Sequence, residues 1–564
     1  MAQFDFHFHL LFKHAISDDQ DVHKNIDVRG FGGLLDKIFG GPFDSQSSPE
    51  MVKNSPLYFG VIGILAVEHA FVNEMLRFPG FRLEKALPIS EQMIKDIKES
   101  KTTYKKLFDA QVAYTIKHVL HNQGKWNMQL LNRADPASTT TALADLESAL
   151  QNPKGYTGTR WFALSIEGGH NLCEVPIKSG QFYKEPEETL RKLMDRTDVD
   201  FMAMNLCHLS FIPEMHLGGF AQGLNKNSQQ AFRSDDFHPS AGLGITAMGK
   251  KVIKEALTRK DRPILIDVKH MSLYTRLQYY RYKDKLAESY PHVERLPIIS
   301  SHTGFTFNTI EEYIGEKQYE PYLATDPTTG NAITRITPQE RRVGRTDDWF
   351  NKTIYCNPWT ISLFDEDILE IFRSNGLIGI SLDQRVLGTE NMFVDSRRGQ
   401  TYEAEHLSRE EYIKMFRDQQ MPAAENIGDL FKKLTSPQKK ERHSMLLALH
   451  LVHAVRVGKA AGIIGSTDDE DASPWDYLCI GSDFDGLINP INAVKDVTQI
   501  DRLRSELMKY LPQADKSLPF YVKERALQYD RNGNLDKRHM ERMIEKVLVT
   551  NGLHFLKRFI QNEW

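Results

Sequence analysis

The sequence predicts an α/β fold, a (β/α)8 TIM-like barrel of the metal-dependent hydrolase type, on three observations. Short apolar runs alternate with helix-like stretches, the pattern of parallel βαβ units. The runs are apolar throughout rather than at every second position, as in strands buried on both faces. Five of them end in a side chain able to ligate a metal: Phe4 to His9, Ala163 to Glu167, Ile264 to His270, Ile298 to His302 and Tyr477 to Asp483. Functional groups of a parallel barrel gather where its strands finish, so the five ends are expected to form one site.

Taken in order, the first strand begins at Phe4 and is followed by a long region reaching about residue 160. Gly/Pro turns near 30–56 and helical patterns over about 57–76, 89–122 and Thr141 to Leu150 make most of it, about 24–160, a helical insertion. Further strands are expected near 161–166, 201–206, 263–268, 297–301, 377–382 and 477–481, with helices such as Met248 to Arg259 and Asp365 to Ser374 between them. Thr353 to Cys356 is the remaining candidate for an eighth strand. A second insertion, about 304–350, follows the fifth of these strands directly after His302 and is polar and turn-rich (Asp326-Pro327, Thr329-Gly330, Thr337-Pro338). Long loops after barrel strands commonly act as lids. The barrel is expected to span 1–490, with 491–564 a helical C-terminal extension packed on its outside.

Composition agrees with a large soluble enzyme: 564 residues, 41% hydrophobic and 26% charged, can close a core and still carry insertions. Cys173, Cys207, Cys356 and Cys479 are scattered, which excludes a disulfide framework or zinc ribbon and points to reduced thiols. A formal net charge of −4, from 71 basic and 75 acidic residues, offers no broad footprint for nucleic acid or anionic lipid. The strand at Phe4 leaves no room before it for a secretion signal. The apolar stretch Leu57 to Val67 falls well short of the roughly 20 residues of a membrane helix. The chain reads as cytoplasmic, with a small-molecule or dipeptide-like substrate, no nucleic acid and no membrane partner.

The chemistry begins at His7-Phe8-His9, because residues two apart on a strand share a face and can hold one ion together. Asp5 shares that face. An isolated pair of this kind is more often merely buried and hydrogen-bonded. Its company changes the reading. Glu167 closes Leu164-Ser165-Ile166 and meets the turn Gly168-Gly169, where a buried carboxylate is costly unless paired or metal-bound. His270 after Ile266-Asp267-Val268-Lys269, His302 after Ile299-Ser300-Ser301, and Asp483 within Gly481-Ser482-Asp483-Phe484-Asp485-Gly486 repeat the arrangement. Mixed imidazole and carboxylate ligation favours zinc and admits manganese, iron, nickel or cobalt.

These segments resemble the membrane dipeptidase (renal dipeptidase, M19 peptidase) family of the amidohydrolase superfamily, as a divergent member. The resemblance rests on SIEGGH at 165–170, GLGITAMGKKVIKEA leading to LIDVKHMS at 242–272, PIISSHT at 297–303 and IGSDFDG at 480–486. Weaker echoes are HLVHAVRVGKAAGI before the last strand and NGLHFLKRF near the end. It implies two divalent ions, zinc in the family, in a TIM-like barrel: one on His7, His9 and Asp483, one on His270 and His302, with Glu167 bridging. It also implies that Asp483 handles the proton of a metal-bridging hydroxide, and that the chain forms a homodimer. Two such ions lower the pKa of a shared water, polarise a carbonyl and stabilise the oxyanion, while a carboxylate moves the proton.

Two departures bear on the substrate. The family's first motif is usually His-x-Asp, and His9 stands in place of that Asp, which removes a negative charge. The family arginine that grips a substrate carboxylate aligns with Cys356, before Asn357. Arg341, Arg342 and Arg345 in the neighbouring insertion are the candidate replacements, with Asn357 beside them as a substrate contact. His208 in MNLCHLS is the candidate for the family's substrate-contacting, catalytic histidine. Gly244 to Lys251 nearly spells a P-loop but has Lys251 for the Ser/Thr, and Asp530 to Leu535 lacks the Gly and distal Glu of a calcium loop. His450 and His453 lie on an apolar helix and read as packing residues. The expected function is metal-dependent cleavage of an amide, most simply in a dipeptide. Deamination, lactone or lactam opening, and a non-catalytic binding barrel are the alternatives.

Overall fold

A computed structural model describes residues 2–17, 21–27, 42–72, 77–78, 81–82, 89–120, 125–224, 235–237, 244–314, 319–325, 332–338, 356–357, 359–388, 405–416, 436–466, 471–517 and 524–564. Among the described residues eight parallel strands form the ring: β1 (Gln3–Phe8), β2 (Leu57–Ile64), β3 (Arg160–Ile166), β4 (Phe201–Asn205), β5 (Leu265–Asp267), β6 (Ser300–Thr303), β7 (Ile378–Ile380) and β8 (Leu478–Ile480), and the short Met128–Leu130 pairs parallel with the start of β3. β1 to β5 pair in order, as do β6, β7 and β8. Parallel bridges join the two sheets at both edges, Asp267 to Ile299 and Phe8 to Phe484. The strands therefore run in a ring, and nearly every strand residue is buried. A ring of this kind needs residues that fill both its inside and the space under the helices, which is why the runs lack alternation.

The helical reading of 57–76 is corrected here. Leu57–Ile64 is the second barrel strand, paired with β1 on one side and β3 on the other. The region after the first strand is thus divided by a strand, and the described part beyond it holds helices at Glu91–Lys98, Tyr104–Val119 and Pro136–Gln151, where the sequence places them. A fully buried strand and a buried helix both appear as unbroken apolar sequence, and here the tertiary pairing decides. Thr353 to Tyr355 lie outside the described residues, and Cys356 belongs to no strand. Of the stretch after His302, the described part holds Tyr319–Thr325 and Ala332–Pro338, paired antiparallel with each other and with Glu405–Ser408.

The helices that follow the strands include α1 (Tyr104–Val119), α2 (Pro136–Gln151), α3 (Pro186–Met194), α4 (Ala247–Thr258), α5 (Leu273–Ser289), α6 (Asp365–Arg373) and α7 (Ser436–Ala460). Side-chain caps start several of them: Thr103, Asp135, Thr246 and Ser272 each accept from the first-turn amides. The near P-loop at 244–251 is accordingly the cap and first turn of α4. His450 and His453 on α7 are packing residues as expected: His450 bonds the Phe305 amide and the Leu387 carbonyl, and His453 bonds Asp365. α8 (Arg502–Ser517), α9 (Lys537–Glu545) and α10 (Asn551–Gln561) complete the chain, and α10 lies on β1, β2 and α2. Gly552 permits that approach, since a Cβ there would meet the Phe4 ring at 2.0 Å.

One buried polar cluster ties α5 to α6. Arg276 donates from Nε to both Asp367 oxygens, from Nη1 to the Met271 and Thr360 carbonyls, and from Nη2 to the Ser362 carbonyl and Asp367. Tyr280 and the Phe364 amide also donate to Asp367. Glu405 lies beside it, accepting from the Thr360 amide and hydroxyl. Burial pushes the Glu405 carboxyl up to about 8, against those hydrogen bonds.

Candidate metal centre

His7 and His9 leave β1 on one face, and their rings, 5.0 Å apart, lie over Gly63 of β2. A Cβ at Gly63 would stand 2.8 Å from one ring and 2.9 Å from the other, so only glycine leaves room for both imidazoles. His9 Nδ1 bonds the Gly63 carbonyl at 3.1 Å. Donation there fixes the tautomer and leaves Nε2 with its lone pair towards the barrel axis. Glu167, just past β3, faces both: Oε1 is 3.3 Å from His7 Nε2, and Oε2 is 3.1 Å from His9 Nε2.

His270 and His302 arrive from the ends of β5 and β6, with their Nε2 atoms 3.2 Å apart and 3.6 and 3.8 Å from Glu167 Oε1. Asp483 follows β8, with Oδ1 3.5 Å from His9 Nε2 and 3.9 Å from His7 Nε2. His270 and Asp483 have positive φ, 70° and 63°, a conformation unusual outside glycine. Both turn their side chains into the ring at the cost of that strain. Two ligand groups result: His7, His9, Glu167 and Asp483, and Glu167, His270 and His302, with Glu167 common to both.

The electrostatics fit a cation. Buried His7 Nε2, His9 Nε2 and Glu167 Oε2 point at one another without a hydrogen bond. Burial alone would push the His9 imidazolium down, but Glu167 and Asp483 outweigh it and lift His9 to about 10. Burial would raise Glu167, yet His9, His7 and His208 hold it well below the usual range. Burial and the neighbouring His208 push His270 down to about 3, and burial and His7 push His302 down as well. His270 and His302, held neutral, face a carboxylate that retains its charge, the kind of donor set a divalent ion takes, and an ion bound beside His9 would displace the proton that Glu167 and Asp483 favour there.

His208 also reaches the site. Its Nδ1 bonds Glu68 at 2.9 Å, and its Nε2 lies 3.4 Å from Glu167. Glu68 accepts as well from the Leu209 amide and Ser210 hydroxyl. Sequence reasoning missed Glu68, although Ile64 to Glu68 repeats the signal of an apolar run closed by a carboxylate. Asp5, on the His7 face, instead bonds the Ser482 amide and hydroxyl below the site. Asn357 is spent on the Arg385 carbonyl and Trp359 amide, Cys356 on the Thr306 carbonyl, and neither lines the cavity. Arg341, Arg342 and Arg345 lie outside the described residues.

The cavity above the cluster is lined by His9, Glu68, Glu167, His208, Lys269, His270, His302, Asp383, Arg385 and Asp483 together with an apolar wall that includes Phe12, Phe71 and Ile361. Lys269 is buried there, and burial pushes its ammonium down to about 8. No protein-family profile and no curated protein matches the chain. Solved structures do. One of them is a metallopeptidase of family M19. The dipeptidase AC of that family is 12% identical, with a TM-score of 0.44 over 100% of this chain and 99% of that one. A Rhodobacter sphaeroides metallopeptidase liganded with a phosphinate mimic of L-Ala-D-Ala gives the same identity, coverage and score. The probable dipeptidase PvdM from Pseudomonas aeruginosa is 13% identical, with a TM-score of 0.44 over 100% and 96% of the two chains. Among the described residues, no helix is long and apolar enough to cross a membrane.

Proposed function

We propose that the chain is a divergent, membrane-dipeptidase-like hydrolase that cleaves a peptide-type amide with two divalent ions, of which zinc fits the ligands best. The observation that carries this is the pair of ligand groups sharing Glu167, with facing buried donors that nothing in the protein satisfies. His7, His9 and Asp483 would hold one ion, His270 and His302 the other, and Glu167 both. Bound there, the ions would supply Lewis acidity to a water and to the scissile carbonyl. Asp483 is the most exposed of the cluster, its side chain 13% accessible, and its carboxylate borders the cavity. Burial raises its proton affinity, as suits a base that takes a proton from water and returns it to the leaving amine. His208, held by Glu68 on one nitrogen, turns the other towards the cavity, where an N–H can donate to the carbonyl oxygen as charge develops on it. Residues 1–490 form the hydrolase unit in this reading and 491–564 an extension on it.

Elemental analysis of the purified protein is expected to give close to two divalent ions per chain. Hydrolysis of a dipeptide panel is expected to stop on chelation and to return with metal. Full activity in metal-free protein sinks the proposal.

A further inference from the structure

Lys269 closes β5 one residue before His270, and its side chain lines the same cavity as the ligands. The residue is 2% exposed, and its ammonium has no hydrogen-bond partner. Asp483, Asp267 and Asp383 act on it only from a distance. Asp267 is occupied by the Lys269 and Ser301 amides, and Asp383 by Arg385. Arg385, the other permanent cation on the described cavity wall, is thereby neutralised, with bonds of 2.6 to 3.1 Å to Asp383. Lys269 is the cation this wall leaves to a ligand. A buried charge without a partner is costly, and the cost is offset when a ligand brings the opposite charge.

We propose that Lys269 is the specificity-determining residue that binds a carboxylate of the substrate, so that the enzyme takes an N-acyl amino acid or dipeptide with a free terminal carboxylate. A single ammonium among Glu68, Asp383 and Asp483 suits one negative charge rather than a dianionic phosphate. Phe12, Ile16, Phe71, Ile89 and Leu224 on the same wall suit an apolar side chain or acyl group. The anchor then stands on a strand end of the barrel, where its position is fixed, and not on the loop arginines that the sequence suggests. The inference deepens the amide-hydrolase reading and rests on it for the scissile bond.

The test is calorimetric binding of two probes that resist hydrolysis, N-methanesulfonyl-leucine and its C-terminal N-methylamide, to the metal-loaded protein and to Lys269→Met, Lys269→Gln and Lys269→Arg. The native protein is expected to bind the carboxylate about tenfold tighter than the amide. That ratio is expected to fall to about one in Lys269→Met and Lys269→Gln, and to persist largely in Lys269→Arg, with amide affinity unchanged throughout. Direct carboxylate–metal contact would instead keep the ratio high in the neutral variants. A ratio that survives in whichever neutral variant folds, or no preference in the native protein, overturns the assignment. Binding needs no turnover, so a protein that hydrolyses nothing yet shows the Lys269-dependent preference loses the hydrolase reading and keeps this one.

Discussion

Two buried polar clusters of this protein are built by opposite rules. Around Arg276 and Asp367, all five guanidinium N–H groups find acceptors within the protein, and the carboxylate takes Tyr280 and a backbone amide besides. Around Glu167, imidazole nitrogens and carboxylate oxygens face one another across 3.1 to 3.9 Å, and several of these buried atoms make no hydrogen bond. The first cluster is closed and holds α5 to α6. The second leaves His7 Nε2, His9 Nε2 and Glu167 Oε2 without a hydrogen bond. Satisfaction of hydrogen bonds thus separates a structural charge cluster from a functional one even where burial is equal.

The sharpest way to break the contrast is a crossed pair of substitutions. Asp483→Asn is expected to cut turnover about a thousandfold, close to 4 kcal/mol, while most of the metal stays bound and thermal unfolding is unchanged. Steady-state kinetics with metal analysis decide it. Arg276→Met should do the reverse, costing about 3–5 kcal/mol of folding stability by leaving Asp367 buried and unpaired. Chemical denaturation measures that loss, and the turnover of the remaining folded enzyme is expected within twofold of native. Equal kinetic damage from both would show that the two clusters are not separate devices.

Metal removal sharpens the contrast further. At a hundredfold excess over its dissociation constant, an ion binding the native state alone adds about 2.7 kcal/mol, so chelation should lower the unfolding temperature of the native protein. In a variant with His7 and His9 both replaced by Ala, chelation should produce a much smaller shift. A further effect concerns pH beside the closed cluster. The Glu405 carboxyl, lifted to about 8 by burial, keeps its proton in the fold where the unfolded chain has already lost it. Its contribution is therefore full below the unfolded value, about 4.5, and is lost as pH rises through 8, at up to about 1.4 kcal/mol per pH unit. Glu405→Gln should flatten that slope in denaturation curves taken between pH 5 and 8.

The ligand cluster was legible because its signal is local: an apolar run followed by His, Glu or Asp marks a strand end whatever its partners are. Leu57–Ile64 was not, because eight apolar or glycine residues running on into Leu65-Ala66-Val67 carry no period, and only pairing with β1 and β3 makes them a strand. Losing that strand also hid Glu68, since a carboxylate marks a strand end only once the strand is recognised. Lys269 was passed over for a different reason. Adjacent residues of a regular strand face opposite ways, so beside His270 it reads as pointing out of the barrel. The left-handed backbone at His270 breaks that rule and brings both side chains to the cavity. Asn357 stands close to the site in sequence logic, but its amide is consumed by the backbone of the Arg385 turn.

The closure of the ring between Phe8 and Phe484 joins segments of the chain that are made far apart in time. His7 and Ser482, whose hydroxyl bonds the His7 carbonyl, are separated by 475 residues. At ribosomal rates of about 5–20 residues per second, the interval between them is roughly 25 to 95 seconds. Through that time Phe4, Phe6 and Phe8 have neither β8 nor α10 to cover them, and the first ligands are made without the last. A nascent chain halted short of residue 478 would carry four histidines and one glutamate of the centre with an apolar strand edge still open. Such a chain would expose apolar surface of the kind that promotes aggregation, and it would still lack Asp483.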